Sequence, residues 1–126
     1  MILSSPEDMV KCAQQVREQW QLGIDPIAKV QDILEANGIK VIPISGPDSF
    51  DGVSGMVNGM PIVVLNKDMK MAERLRFTAL HEVGHLLFNQ NISDFLSEHD
   101  KEKMCHAFAS EMLLPSDVVN HYLAGK

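Results

Sequence analysis

The sequence predicts an α+β fold in which helices flank a small sheet. Apolar residues recur at helical spacing towards both ends of the chain, whereas the middle is β-branched and contains a two-residue turn signal. The length of 126 residues suits one domain with one modest core. We therefore expect a single domain over residues 1–126, with two helices, a three-stranded and mostly antiparallel sheet, and then three helices.

The two N-terminal helices are indicated by their end signals. Ser5 has the chemistry of an N-cap, and Pro6 and two acidic residues follow it in the first turn. This helix is expected to reach Gln21. The second is expected to open at Asp25 and to close at the Asn-Gly pair of residues 37–38, which is typical of helix C-termini.

Three strands are expected at residues 39–44, 52–57 and 60–65, because these runs are β-branched and short. The pair Asn58-Gly59 between the last two runs predicts a hairpin turn. Pro61 lacks a backbone N–H, which favours an edge position for the third strand. Either strand of the hairpin is a candidate edge for an extended partner chain.

Three helices are expected to follow the sheet. The first runs over residues 69–88, the second over residues 98–114, and a short last helix begins at Pro115. The segment between residues 89 and 97 is polar and irregular.

Composition excludes several classes of function. Hydrophobic residues make up 45% and charged residues 22%, which is typical of a globular protein, and the net charge of -6 argues against a nucleic-acid surface. The N-terminus lacks the basic and apolar regions of a signal peptide, and no run is apolar enough for a membrane helix. Two distant cysteines make no disulfide framework. We expect a soluble cytoplasmic protein.

A metal-site motif lies within the first of the late helices. His81, Glu82 and His85 form the pattern H-E-x-x-H in a segment that is otherwise apolar. Residues four apart lie on one helix face, so the two imidazoles can share a cation, and Glu82 can act as a general base. The alternative is an amphipathic helix whose histidines face solvent, but the apolar surroundings favour burial and hence a metal. The sequence thus predicts a Zn²⁺ peptidase.

Catalytic zinc usually needs a third protein ligand. Metzincin peptidases place a glycine and a histidine soon after the motif, where this chain has other residues, so that class is excluded. A helical wheel places Glu102 on the apolar face of the next long helix and Glu111 on its solvent face, so we predict Glu102 as the ligand. A solvated Glu102 is the alternative, and the other candidates weighed are Glu98, His99 and His106.

His106 lies one turn after Glu102 and is predicted to hydrogen-bond to a ligand imidazole, with a direct ligand role or a simple boundary position as alternatives. Cys105 is predicted to be a core residue. Arg74 is predicted either to pair with a carboxylate near the site or to be a surface charge. Tyr122 is an open candidate for donating to an oxyanion, with a half-buried helix position as the alternative.

Two segments carry a resemblance to a known family. The first is R-F-T-A-L-H-E-V-G-H-L-L-F at residues 76–88, and the second is E-K-M-C-H-A-F-A-S-E-M-L-L-P at residues 102–115. Together they resemble the ImmA/IrrE family of zinc metallopeptidases, whose motifs read roughly R-F-T-x-x-H-E-x-G-H-x-x-x-H and E-x-x-A-N-x-F-A-x-x-L-L-x-P. The resemblance implies a zincin-like fold of the gluzincin kind.

Matched position by position, the resemblance implies that His81 and His85 are ligands, Glu82 is catalytic and Glu102 is the third ligand. The chain departs from the pattern at a few positions. Phe88 and Asn89 stand where many members have histidine, Cys105 replaces alanine, and His106 replaces asparagine.

The resemblance also implies a biological role. Family members act on a helix-turn-helix repressor in mobile elements, phage-like regulation or stress response, so the resemblance implies such a regulator as substrate or partner. We expect no helix-turn-helix segment in this short acidic chain, and no direct contact with nucleic acid or membrane. The alternatives are a non-catalytic zinc-binding module that grips a regulatory protein, or a toxin-like component. The presence of Glu82 favours the enzyme, because a structural metal site does not need that residue.

Overall fold

The computed structural model describes the backbone of residues 2–124 and their side chains, apart from those of residues 121, 122 and 124. The elements are α1 (Pro6–Gln19), α2 (Val30–Ala36), β1 (Lys40–Ile44), β2 (Gly52–Val57), β3 (Met60–Asn66), α3 (Ala72–Phe88), a 3-10 turn (Asn89–Asn91), α4 (Glu98–Leu113) and α5 (Ser116–Ala124). The predicted α+β class is confirmed.

The chain divides into two compact units. Residues 28–90 form one, which holds the sheet with α2 and α3, and we call it the sheet unit. The segments before residue 28 and after residue 90 form the other, which holds α1, α4 and α5, and we call it the helical unit. The expectation of a single domain stays a prediction.

The sheet is mixed, in the order β1-β3-β2. β1 runs parallel to β3 with Val41 opposite Val63, and β2 runs antiparallel to β3 with Ser54 opposite Val63. The turn between β2 and β3 is formed by Asn58 and Gly59, with φ of 51° and 80°. Both residues are in the left-handed region, as the hairpin prediction requires.

The expectation that Pro61 marks an edge strand is wrong, because β3 is the central strand. Pro61 is the second residue of β3, and the pairing of β3 with β1 begins only at Ile62. Pro61 therefore lies where no β1 residue is present to receive an N–H. Of the two hairpin strands, β2 is the edge.

Within the sheet unit, α3 packs on β2 and β3, and α2 contacts α3 and β1. Strand alternation places Val41, Val63 and Leu65 inward, and all three are buried. The buried apolar residues of this unit are Val30, Leu34, Ile39, Val41, Val63, Leu65, Ala79, Leu80 and Val83.

Within the helical unit, α1 packs against α4. Ser5 caps α1 in a capping box with Asp8, as the end signals predicted, and Ser97 caps α4 by accepting a hydrogen bond from the Asp100 N–H. The buried apolar residues are Leu3, Met9, Cys12, Ala13, Val16, Ile27, Ile92, Met104, Cys105, Phe108, Ala109 and Met112. Cys105 is thus a core residue, as predicted.

One feature of the helical unit was not predicted, namely a buried arginine on α1. Arg17 is only 3% exposed, and its guanidinium donates to the backbone carbonyls of Met112, Gly23 and Asp25. These bonds hold the chain after α1 in a non-helical path. For this reason the second helix begins at Val30 and not at Asp25 as expected.

Among the described residues, no helix has both the length and the apolar character needed to cross a membrane.

Candidate active site

The candidate site is built on α3, which begins at Ala72, three residues later than predicted. Its buried residues include Thr78, Ala79, Leu80, His81 and Val83, so the middle of the helix is enclosed. His81 is 8% exposed and His85 is half-buried. The ring of Phe77 stacks on His81 from the preceding turn, with ring centroids 6.3 Å apart.

The two imidazoles converge on one point. The Nε2 atoms of His81 and His85 lie 3.1 Å apart, and the rings meet edge to face at a centroid distance of 4.8 Å. Two nitrogens at this separation share either a proton or a cation. If each lay about 2.05 Å from one zinc ion, a 3.1 Å separation would give an angle of about 98° at the ion, near the tetrahedral value. The pair therefore fits a metal ion.

Glu82 points towards the edge strand. Its Oε1 accepts a hydrogen bond of 2.7 Å from the hydroxyl of Ser54 on β2. Ser54 faces α3 because the alternation of β2 directs it to the same side as Gly52. The carboxylate next to the two histidines is therefore held by a strand of the sheet.

Gly52 allows β2 to approach α3 this closely. A Cβ atom at Gly52 would lie 2.9 Å from the carbonyl oxygen of Val64 and 3.0 Å from Cγ2 of Thr78 on α3. Both distances are shorter than ordinary contacts, so any larger residue would displace the strand or the helix.

A cavity of about 330 Å³ opens beside Glu82 in the sheet unit. On its wall Arg74 of α3 makes a two-point ion pair with Asp51, with Nη2 to Oδ1 at 2.6 Å and Nε to Oδ2 at 3.3 Å. This bond to Asp51 raises the pKa of Arg74. Arg74 thus pairs with a carboxylate near the site, one of the two roles predicted for it. The lining residues are Asp51, Gly52, Arg74, Phe77, Thr78, His81 and Glu82.

Glu102 and His106 lie one turn apart on α4 in the helical unit. Glu102 borders the buried face next to Ala109 in the helical projection, but it is not among the residues buried on that face. His106 and His99 are exposed. The ligand role of Glu102 and the hydrogen-bonding role of His106 stay predictions.

The wheel was wrong about Glu111, which we had placed on the solvent face. Glu111 is 5% exposed, and both carboxylate oxygens lie 3.1 Å from the backbone N–H of Ser116 at the start of α5. The negative charge of Glu111 in turn favours the charged state of Arg17, whose pKa burial lowers. A buried carboxylate in this helix is therefore compensated by a helix N-terminus and an arginine, without a metal.

Two further residues of the site, Ser54 and Asp51, were not predicted from the sequence. A weak signal for Ser54 exists, because a polar residue in the middle of a strand face that packs on a helix needs a partner. Asp51 lies just before β2 and carries no such signal. The side chain of Tyr122 lies outside the described residues.

A comparison with protein-family models agrees with this geometry. The family described as Peptidase_M78: IrrE N-terminal-like domain matches residues 34–125. The chain belongs to this peptidase family. The match covers the sheet, α3 with its two histidines, and α4. A search of curated proteins found no match.

Proposed function

We propose that this protein is a zinc-dependent endopeptidase of the cytoplasm that cleaves or inactivates a helix-turn-helix repressor of a mobile element or stress regulon. The observation that carries the proposal is the pair of imidazole nitrogens 3.1 Å apart, with Glu82 between them in sequence and directed to an edge strand. Membership of a peptidase family supports the same chemistry.

The proposed metal ligands are His81, His85 and Glu102. Glu102 is chosen because it matches the acidic position of the second motif that the resemblance implies. His106, which replaces the asparagine of that motif, is proposed to hydrogen-bond to a ligand imidazole and fix its orientation.

A bound zinc ion would lower the pKa of water to about 7 and polarise the carbonyl of the substrate peptide. Glu82 is the proposed general base, which accepts the proton of the attacking water and delivers it to the leaving amine. Because His81 and Glu82 both line the cavity beside β2, a substrate backbone that enters this cavity comes close to both residues.

An extended substrate segment is proposed to add to the β2 edge. β2 is an outer strand, and its sequence carries no charged residue or proline that would block pairing. β3 was the other candidate edge strand, but it is the central strand of the sheet and both of its sides are already paired. The partner is proposed to be a protein and not DNA, because the chain carries a net charge of -6.

The decisive experiment replaces Glu82 by glutamine. Glu82→Gln is expected to retain zinc, measured by mass spectrometry, and to lose cleavage of the co-encoded repressor, measured on gels. Glu73→Gln changes an exposed glutamate of the same helix and is the matched control. Cleavage by Glu82→Gln at the wild-type rate would refute the general-base role, whereas a wild-type protein that binds zinc and leaves the repressor intact would favour the non-catalytic or toxin-like alternative.

The ligand set is tested by competitive zinc titration. Glu102→Ala is expected to weaken binding strongly, and His106→Ala by about 10- to 100-fold. His106→Asn is expected to retain activity, and Glu98→Ala, an exposed change in the same helix, serves as the control. An empty site in His106→Ala together with a filled site in Glu102→Ala would instead indicate three histidine ligands.

The partner is tested by affinity capture from native cells. The chain is expected to recover a helix-turn-helix regulator, and the purified chain is expected not to bind DNA. Tight, salt-sensitive DNA binding by the chain alone would contradict this part of the proposal.

A further inference from the structure

The hydrogen bond between Ser54 and Glu82 joins the edge strand to the residue proposed as general base. Its length of 2.7 Å is typical of a hydroxyl that donates to a carboxylate. The two residues are 28 positions apart, so the contact exists only because the sheet packs on α3.

The position of Ser54 on its strand makes the contact specific. Ser54 lies opposite Val63, which is fully buried, and shares a strand face with Gly52, whose lack of a side chain lets β2 approach α3. The hydroxyl adds a hydrogen-bond donor where the carboxylate needs one.

We propose that Ser54 is a positioning residue for Glu82. The inference rests on the proposed peptidase function, in which Glu82 moves the proton. A glutamate side chain has three rotatable bonds, and a half-buried one beside a cavity can take several orientations. The bond from Ser54 fixes Oε1 and leaves Oε2 as the oxygen that accepts and releases the proton. Ser54 itself touches neither substrate nor metal in this role.

Removal of the hydroxyl is expected to act on the rate of the chemical step. For the zinc-loaded protein and one internally quenched fluorogenic peptide that the wild type cleaves, Ser54→Ala is expected to lower kcat by about 10- to 100-fold, the effect of losing one hydrogen bond to a charged group. KM and zinc content are expected to stay at the wild-type values. Ser54→Thr keeps the hydroxyl on a β-branched side chain suited to a strand, and is expected to recover most of the rate.

The control variant is Ser49→Ala. Ser49 is an exposed serine of the same unit, in the loop before β2, and lies outside the proposed machinery. Its kcat is expected to equal that of the wild type. A loss in both Ser54→Ala and Ser54→Thr, or a loss of zinc, would show that Ser54 serves packing and not positioning.

A second measurement needs no activity. In the metal-free protein labelled with ¹³C at the glutamate carboxyl, the Glu82 resonance is assigned by its absence in Glu82→Gln. This resonance is expected to move in Ser54→Ala, to return in Ser54→Thr and to be unchanged in Ser49→Ala. An unmoved resonance in Ser54→Ala overturns the positioning contact.

The two readouts separate the inference from the proposed function. A wild-type protein that cleaves neither fluorogenic peptides nor the repressor refutes the peptidase, and the carboxyl resonance then still decides whether Ser54 holds Glu82. An active wild type with an equally active Ser54→Ala variant refutes the inference alone.

Discussion

Replacement of Arg17 by methionine is expected to destabilise the helical unit strongly. The guanidinium is almost fully buried and donates to the carbonyl groups of Met112, Gly23 and Asp25, which belong to α4 and to the segment after α1. Methionine has a similar length and fills the space, but it has no donor. Arg17→Met therefore leaves three carbonyl groups without this partner and removes a positive charge that acts on Glu111.

The magnitude follows from these contacts. An unsatisfied buried acceptor costs about 1–3 kcal/mol, and the bond to Met112 is buried, whereas the bonds to Gly23 and Asp25 are partly buried. Burial lowers the pKa of Arg17, which means that the charge itself is held at a desolvation cost that the variant no longer bears. We therefore expect a loss of about 3–5 kcal/mol in the free energy of unfolding, which is the lower part of the sum over the three carbonyl groups.

The assay is urea unfolding followed by circular dichroism, with a thermal scan. At roughly 4 °C per kcal/mol for a chain of this size, Tm is expected to fall by about 12–20 °C. Gln15→Met, an exposed change on α1, is the control. Arg17→Lys keeps the positive charge but lacks the planar guanidinium group, and its Tm is expected to lie between those of the wild type and Arg17→Met. A loss below about 1 kcal/mol in Arg17→Met would refute the reasoning, because it would place the arginine at the level of a surface ion pair.

Three further predictions concern other buried groups. Gly52→Ala is expected to lose about 1–3 kcal/mol in urea unfolding, because its Cβ would press on the carbonyl of Val64, whereas Gly55→Ala on the same strand has open space and serves as the control. Asn66→Ala is expected to lower stability by about 2–4 kcal/mol in a thermal scan, because the amide of Asn66 donates to three carbonyls of the loop before β2, and an unchanged Tm would contradict this role. Burial, and secondarily the neighbouring charge of Asp8, raises the pKa of the Cys12 thiol, so less thiolate is present at neutral pH. Iodoacetamide is therefore expected to label Cys12 more slowly in the native protein than in urea. Equal labelling rates would show that the thiol is accessible in the native protein.

The parts of the fold that sequence predicted are those that depend on local signals. The Ser5 N-cap and the Asn58-Gly59 turn are each encoded within a few residues, and the α+β class follows from the order of such local signals. The two histidines belong to the same class, because a spacing of four on a helix places both side chains on one face, where their ring nitrogens can meet.

The errors arose where a distant partner overrides the local signal. The start of α2 was placed at Asp25, but the carbonyl of Asp25 is held by Arg17 and the helix begins later. Pro61 favoured an edge strand, but the pairing with β1 begins only after it, so a central strand tolerates the proline. Neither partner can be read from the segment itself.

Polar residues on packed faces were the hardest to predict, and the same reason accounts for each of them. A helical wheel placed Glu111 on the solvent face of its helix. In the structure its carboxylate is buried and accepts a hydrogen bond from the first backbone N–H of α5, five residues later. Arg17 reaches a carbonyl 95 residues away, and Ser54 reaches Glu82 28 residues later. Hydrogen bonds of this kind are required by burial, but burial says only that a partner exists and not which one.

The contrast between positions set by local signals and positions set by distant partners bears directly on the proposed chemistry. The ring nitrogens of His81 and His85, the proposed ligands, are positioned by one helix, so this part of the proposed metal site is expected to tolerate change elsewhere in the fold. The proposed general base is different, because Glu82 accepts a hydrogen bond from a hydroxyl of another element, and a glycine lets this element approach closely. A variant that moves β2 relative to α3 by a few tenths of an ångström is therefore expected to bind zinc at its two histidines and still lose rate. Zinc content and kcat, measured together on variants of β2, report separately on the proposed ligand histidines and on the proposed general base.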